Sequence, residues 1–151
     1  MSTGNRLQWR PLLLIAGLTS ACYLPSLALP FISDTYNQIN LSRGLGPLDL
    51  FTVETYHYYR PLLLNSYLLD YTLWGLQPAG YRITTLLLHL LNTFLVYRLV
   101  MSLPGTGHPA ALVAALWFGI TPVHAPSVVW VLGRSDLLYT TFYLGACLCL
   151  I

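Results

Sequence analysis

Four apolar stretches, separated by short polar or proline-containing segments, dominate the hydropathy pattern of this chain. They cover residues 11–31, 83–103, 109–128 and 137–151. A transmembrane helix needs about 20 mostly apolar residues with few charges. The pattern therefore predicts an all-α, polytopic membrane helical bundle of about four spans. Because the fourth apolar run reaches the last residue, we expect the chain to be the N-terminal part of a longer protein.

The segment between the first two spans, residues 32–80, is polar and is predicted to be an external loop. Within it, residues 61–76 form a shorter apolar run that contains Asn65 and Asp70. A carboxylate near the bilayer centre costs about 2.5–3.5 kcal/mol on insertion scales. We therefore favour an interfacial or re-entrant helix over a fifth span. The choice matters, because a spanning helix would place the Asp34 and Asp136 loops on opposite sides of the membrane.

The first apolar run has a competing interpretation as a cleaved signal peptide. Arg6 and Arg10 precede it, and residues 19–22 faintly resemble a cleavage box. The apolar run continues well past Cys22, which is long for a signal core. We therefore interpret it as a span whose N-terminus lies in the cytoplasm.

Composition agrees with a membrane protein and excludes several other classes. Of 151 residues, 56% are hydrophobic and 8% are charged, and the mean hydropathy is +0.61. Soluble domains carry about 25% charged residues. The seven basic residues are dispersed arginines, which gives no patch for nucleic acid. The three cysteines lie in apolar runs without paired spacing, so we predict neither a disulfide framework nor a zinc site.

A polar stripe interrupts the second span. Arg82, Thr85, His89 and Asn92 follow helical spacing and would share one face. Such a stripe must face protein or a water-filled cavity, since lipid cannot satisfy its hydrogen bonds. It is therefore either helix packing held by hydrogen bonds or a cavity wall that meets a polar or anionic substrate.

The densest cluster of candidate site residues follows the third span, where two prolines break the helix. His124, Arg134 and Asp136 gather there, close to one membrane face. Arg134 and Asp136 either form a local salt bridge at a helix start or contribute to a site. Near the end of the first span, Asp34 is a candidate catalytic base, because an ionised carboxylate can accept a proton from a hydroxyl. Asp49 and Glu54 are weaker candidates in the same loop.

Several blocks of sequence together resemble a known family. The Arg60-Pro-Leu and Gly133-Arg-Ser-Asp136 blocks are the most specific of them. The chain resembles the N-terminal part of the transmembrane-and-tetratricopeptide-repeat O-mannosyltransferases and their bacterial relatives, which belong to the C-type (GT-C) glycosyltransferases. The matching blocks are residues 31–34, 59–63, 69–81, 86–91, 96–98 and 129–138.

The resemblance implies a multi-pass enzyme of the bacterial inner membrane or the endoplasmic reticulum. It would move a sugar from a polyprenyl-phosphate carrier to a protein or glycan hydroxyl on the external or lumenal face. Asp34 would be the base, and the family pattern also matches Arg82 and Asp136. The residues expected to bind the carrier phosphate and substrate are Arg82, His89, His124, Arg134 and Asp136.

We expect no cofactor. The need for a divalent metal stays open, because one carboxylate from each of two loops is too little to predict a metal ion. Two departures from the family pattern stand out. Thr35 replaces the second acid of the first loop, and residues 121–126 lack the first histidine and the glutamate of a His-Pro-x-His-x-Glu stretch. The alternative interpretation is therefore a non-enzymatic multi-span protein or an inactive truncated product. A transporter is disfavoured, because the sequence has no internal repeat.

Overall fold

The computed structural model describes residues 9–32, 34–44 and 59–151, and within these ranges the secondary structure is helical with no strand. The predicted all-α class is therefore confirmed. Arg6, Asp49 and Glu54 lie outside the described residues. The α-helices are α1 (Trp9–Tyr23), α2 (Thr35–Arg43), α3 (Pro61–Trp74), α4 (Pro78–Ser102), α5 (His108–Ile120), α6 (Ala125–Val129) and α7 (Arg134–Leu150). Short 3-10 turns occupy Leu24–Ala28, Pro122–His124 and Val131–Gly133.

Prolines and one glycine set the bounds of the central helices. Pro61 and Pro78 lie in the first turns of α3 and α4, where a residue without an N–H group leaves no helical hydrogen bond unmade. Between these helices, Gly75 adopts a φ of 61° and its N–H bonds the Tyr71 carbonyl at 2.9 Å. Glycine reaches this left-handed region without steric cost. α4 consequently begins five residues before the predicted span.

Among the described residues, two helical segments are long and apolar enough to cross a membrane, namely Arg10–Ala28 and Pro78–Ser102. A third candidate consists of His108–Ile120 and Pro122–Val129, which meet at a bend of 46°. α7 has 17 residues. These helices support a membrane protein, while the division into four spans and an external loop stays a prediction.

The helices pack as a bundle in which α1 and α5 run in one direction and α4 and α7 in the other. At one end, the start of α4 bonds the segment that leaves α1, and the start of α7 bonds the same part of α4. We call this the polar end. At the opposite end, Ile15 of α1 clusters with Tyr97 of α4 and with Ala111 of α5.

α2 and α3 pack against the polar end. The chain leaves α1 at this end and also enters α4 here, so α3 does not carry it across the bundle. Ile39, Leu64 and Tyr67 of these helices cluster with Phe31 and Val131. At about 1.5 Å per residue, the 14 residues of α3 reach roughly 21 Å, less than the hydrocarbon core. The Asp34 and Asp136 loops therefore lie at the same end of the bundle.

Candidate functional site

The polar stripe of α4 is fully buried. Arg82, Thr85, His89 and Asn92 expose 0–1% of their surface. Each makes a hydrogen bond to another segment: for example, the Asn92 amide donates to the Leu137 carbonyl at 2.9 Å. The structure thus assigns the stripe a packing role of the kind that joins helices in lipid. A direct role toward a substrate stays a prediction for Arg82 and His89.

Arg82 joins three segments at the polar end. Its Nη1 donates to the Leu29 carbonyl, its Nη2 to the Pro30 carbonyl at 2.5 Å and its Nε to the Val129 carbonyl at 3.2 Å. No carboxylate pairs with this guanidinium in the described part of the chain. Arg82 is therefore a buried positive charge whose hydrogen-bond partners among the described residues are backbone carbonyl groups.

Arg134 forms a buried ion pair with Asp70, and both side chains are 0% exposed. Its Nη2 lies 2.5 Å from Asp70 Oδ2 and donates to the Tyr81 carbonyl at 2.8 Å. Its Nη1 reaches the Ser66 hydroxyl at 3.2 Å, and the Thr84 hydroxyl donates to Asp70 Oδ1 at 2.7 Å. The pair links α3, α4 and α7, which fixes α3 against the bundle.

The electrostatics of this ion pair depend on its burial. Burial raises the pKa of the Asp70 carboxyl above its ordinary value, whereas Arg134 and the Thr84 hydroxyl act in the opposite direction. Removing Asp70 would leave Arg134 as a buried charge without a counter-charge, held only by neutral hydrogen-bond acceptors, which is strongly unfavourable. Asp70 and Arg134 therefore depend on each other.

One of the two sequence interpretations is a local salt bridge between Arg134 and Asp136. In the structure, Arg134 pairs with Asp70 instead. Asp136 is exposed and instead accepts a hydrogen bond from the Ser127 hydroxyl at 3.0 Å. Asp136 lies in the first turn of α7, where the helix dipole favours a negative charge. Its carboxylate is thus accessible at the polar end, whereas Arg134 is not.

Asp34 is also exposed and lies immediately before α2. The next residue, Thr35, is buried, and its hydroxyl donates to the Ile32 carbonyl at 2.7 Å. The backbone that carries the Asp34 carboxylate is therefore held by a local hydrogen bond. Its predicted role as a base stays a prediction, and the weaker candidates Asp49 and Glu54 cannot be placed.

The two candidate histidines lie near the break between α5 and α6. The Nε2–H of His89 donates to the Gly119 carbonyl at 3.0 Å, and its ring centroid is 5.6 Å from that of His124. His124 is partly exposed, and its ring centroid lies 4.4 Å from that of Phe118 with an angle of 41° between the ring planes. It also lines an apolar cavity of 870 Å³ on the outer face of α5, beside Trp117. The structure thus places the His89 and His124 rings close to each other.

A smaller groove of 430 Å³ opens between the start of α3 and the first turns of α7. Arg60 lies on the α3 wall, and Ser135 and Asp136 lie on the α7 wall. Both Arg60 and Asp136 are exposed. The rest of the lining is apolar or aromatic: Tyr59, Pro61, Leu62, Leu63, Leu138, Tyr139 and Phe142.

The sequence patterns do not single out Arg60 or Asp70 as site residues. For Arg60, the sequence signal is its place in the Arg60-Pro-Leu block, one of the two most specific blocks of the family resemblance. For Asp70, the signal is its cost in an apolar helix, which a buried arginine offsets. Within the described ranges, no three His, Cys, Asp or Glu side chains lie together as possible metal ligands.

Comparisons with known proteins bear on this geometry. Protein O-mannosyl-transferase TMTC3 of Homo sapiens is 26% identical over 147 residues, and protein O-mannosyl-transferase TMTC2 of Mus musculus is 30% identical over 153 residues. These matches cover 88% and 92% of this chain. Protein O-mannosyl-transferase Tmtc3 of Drosophila melanogaster is 33% identical over 62% of the chain. No family profile matches the chain, and no solved structure matches it.

The resemblance found in the sequence is therefore confirmed: curated homologues of this chain are O-mannosyl-transferases of the TMTC group. The chain spans 16% of the length of the human relative and 18% of the length of the mouse relative TMTC2.

Proposed function

We propose that this chain contributes the membrane site of a glycosyltransferase that moves a sugar, mannose by the names of its relatives, from a polyprenyl-phosphate carrier to a hydroxyl acceptor. The observation that carries the proposal is the position of the two acidic loops. Asp34 and Asp136 emerge at the same end of the bundle, and Asp136 lines a groove with a polar and an apolar part. The names of the homologues support the same reaction class.

The proposed reaction is a single displacement. The acceptor hydroxyl attacks the anomeric carbon of the sugar, and Asp34 removes its proton as the new C–O bond forms. The bond between the anomeric carbon and the phosphate oxygen breaks, and the polyprenyl phosphate leaves with the electron pair. Asp34 suits this role because its carboxylate is exposed on a backbone held at Thr35.

The leaving phosphate is anionic and needs positive potential rather than a general acid. Arg82 supplies a buried positive charge without a carboxylate partner among the described residues. The charge of Arg134 is balanced by Asp70, so Arg134 contributes less to this potential. In this proposal, Arg82 acts on the leaving group through the field at the polar end.

The proposed setting is the external or lumenal face of the bacterial inner membrane or the endoplasmic reticulum. The partners are membrane lipid, the polyprenyl-phosphate sugar donor and a protein or glycan hydroxyl. No cofactor takes part in the proposed reaction.

A non-enzymatic multi-span protein is the second candidate function. It is favoured by the burial of Arg82, His89 and Arg134 in contacts within the protein. These three groups were expected to meet the carrier, and each bonds protein atoms instead. The two candidate functions share the same fold and differ in whether the protein transfers a sugar.

The test is the substitution Asp34→Asn in the complete protein, assayed in membranes with a polyprenyl-phosphate mannose donor. Loss of a general base costs about 100- to 10,000-fold in rate, so we expect transfer to fall by at least 100-fold. Asp34→Glu keeps a carboxylate and should retain part of the activity. Unchanged transfer in Asp34→Asn would remove Asp34 as the base. Absence of transfer by the unaltered protein would favour the non-enzymatic role.

A further inference from the structure

Three buried polar atoms have no hydrogen-bond partner among the described residues where α1, α4 and α5 meet. They are the hydroxyl groups of Thr19 and Tyr23 on α1 and the Nδ1 atom of His89 on α4. Thr19 and His89 are 0% exposed, and Tyr23 is 5% exposed. A buried polar group without a partner is costly, and native structures seldom leave one. Three of them in one region therefore point to a shared partner that is not a protein group.

Contacts between the helices bring these three side chains together. The Tyr23 ring meets the His89 ring edge-on, with 5.3 Å between the ring centroids. His89 bonds the Gly119 carbonyl, and Thr19 Oγ1 packs so closely on Gly119 that an added Cβ atom would collide with it. Thr19 and Tyr23 are one turn apart on α1, and a helical side chain leans over the turn that precedes it. The three polar atoms therefore border the same small region between the helices.

The hydrogen-bond roles of the three groups complement those of water. Because the Nε2–H of His89 donates to the Gly119 carbonyl at 3.0 Å, the Nδ1 atom of the neutral ring can only accept a hydrogen bond. The hydroxyl groups of Thr19 and Tyr23 each have a proton to donate. One water molecule can donate to Nδ1 and accept from both hydroxyl groups. It would then make three hydrogen bonds, the usual number for a buried water.

We propose that Thr19, Tyr23 and His89 form a binding site for one buried water molecule, which joins α1 to α4. The water holds the His89 ring in the tautomer that bonds α5 through Gly119. A metal ion fits this site poorly, because no carboxylate pairs with His89 or Tyr23 in the described part of the chain, and a buried cation needs a counter-charge. This site is independent of the proposed transfer reaction.

The first experiment is X-ray hydroxyl-radical labelling of the complete protein in nanodiscs, read by mass spectrometry. Radiolysis converts a bound water into a radical that oxidises the side chains beside it, even where bulk water has no access. Tyr23 should therefore be oxidised well above background. Tyr97 is the matched control, because it is 3% exposed and its hydroxyl already bonds His108. Oxidation of Tyr23 no stronger than that of Tyr97 would overturn the proposal.

The second experiment uses the sign of a change in stability. Tyr23→Phe removes the hydroxyl group and keeps the ring against His89. One neutral hydrogen bond corresponds to about 2- to 10-fold in an equilibrium constant, so the unfolding equilibrium constant should rise by this factor. Tyr143→Phe, which removes the hydroxyl of an exposed ring on α7, is the control and should change it little. If the Tyr23 hydroxyl has no partner, its removal relieves the cost of burying it. An unchanged or smaller unfolding constant in Tyr23→Phe would therefore contradict the water site.

A double substitution tests whether the two hydroxyl groups bind the same ligand. Thr19→Val and Tyr23→Phe together should cost less than the sum of the single effects, because either change alone already weakens the binding of the water. Additive effects would refute a shared site. The labelling experiment needs no variant, so it decides the question even if a substitution prevents folding.

A titration with Zn²⁺ separates water from a metal ion. Imidazole nitrogen is a common ligand of Zn²⁺, so the ion is a suitable probe of His89. We expect Zn²⁺ to leave the unfolding equilibrium of the unaltered protein unchanged. Stabilisation by Zn²⁺ that disappears in Tyr23→Phe would assign the site to a cation and overturn the proposal.

Discussion

The polar end and the opposite end of the bundle are held together by different chemistry. At the polar end, Arg82, Asp70 and Arg134 are fully buried, and their charged groups bond several segments. At the opposite end, Ile15 and Ala111 pack in an apolar cluster with Tyr97, whose hydroxyl shares a hydrogen bond of 2.8 Å with His108 Nδ1. Helices can associate by apolar contact and a few hydrogen bonds alone.

The difference indicates where a particular geometry is required. Burying charged groups costs several kcal/mol each, and their mutual attraction repays this only with good geometry. The polar end carries this cost in three side chains, and the accessible acids Asp34 and Asp136 lie at the same end. The buried charges therefore fix the segments that carry Asp34 and Asp136. The opposite end requires only that its helices pack together.

The largest expected effect concerns the sidedness of the two ends. In a background without Cys22, Cys147 and Cys149, Tyr36→Cys and Asp136→Cys should both react with a membrane-impermeant thiol reagent from the same side. Ser102→Cys, at the far end of α4, should react only from the other side. The measurement compares intact and permeabilised cells, and the expected contrast is all or none.

The opposite labelling pattern would contradict the placement of both acids at the polar end. If positions 36 and 136 reacted from different sides, the segment 61–76 would cross the membrane. The two acids would then face different compartments and could not act on one substrate.

The next effect in size concerns the buried ion pair. Asp70→Asn leaves Arg134 buried without a counter-charge, and breaking such a pair costs about 3–5 kcal/mol. We expect a loss of this order in the free energy of unfolding, measured by denaturant titration in detergent micelles. Asp136→Asn removes an exposed acid as the matched control and should cost about 1 kcal/mol or less.

A double substitution sharpens this result. Asp70→Leu combined with Arg134→Met removes both charges and keeps apolar volume, so it should recover most of the lost stability. If the double variant is as unstable as Asp70→Asn, the ion pair is not the source of the effect, and the surrounding hydrogen bonds are.

The polar stripe of α4 could be predicted from the sequence, because its spacing places four polar groups on one face of a single helix. The same spacing does not identify their partners. Arg82 bonds carbonyl groups of residues 29, 30 and 129, and any residue type offers a carbonyl. The sequence therefore predicts that the stripe is shielded from lipid and leaves open whether a substrate or the protein shields it.

Asp70 shows a second limit of sequence reasoning. Its insertion cost predicts that it avoids lipid, and we inferred an interfacial helix from that cost. The structure adds a second physical solution, which is pairing with Arg134. Asp136 lies closer to Arg134 in sequence and is the partner in one of the two sequence interpretations, but in the structure it bonds Ser127 instead. Tertiary packing decides between such partners.

A smaller effect is expected where three helices meet between the two ends. A Cβ atom added at Gly119 would collide with Thr19 Oγ1 and lie 3.1 Å from Thr93 Cγ2. Gly119→Ala should therefore destabilise the protein by about 1–3 kcal/mol, which is typical of overpacking. Gly145→Ala, where no atom lies within 4 Å of the added group, is the matched control and should not destabilise it.

A coupling measurement identifies the source of this strain. Thr19→Ala removes the colliding hydroxyl and should recover part of the loss in Gly119→Ala, as seen in a double-mutant cycle. Additive effects of the two substitutions would show that the added methyl group is accommodated by movement at other positions. The contact between residues 19 and 119 would then not determine how the two ends are aligned.

The smallest effect belongs to the opposite end. Tyr97→Phe removes the hydroxyl that bonds His108 Nδ1 and keeps the ring in its apolar cluster. A single neutral hydrogen bond contributes about 1 kcal/mol, so thermal unfolding should shift only slightly. Transfer activity should be unchanged, because Tyr97 packs with Ile15, Ala111 and Ala115 at the opposite end, away from Asp34 and Asp136. A loss of transfer comparable to that of Asp34→Asn would mean that the two ends are coupled through α4, and the opposite end would then share in positioning the site.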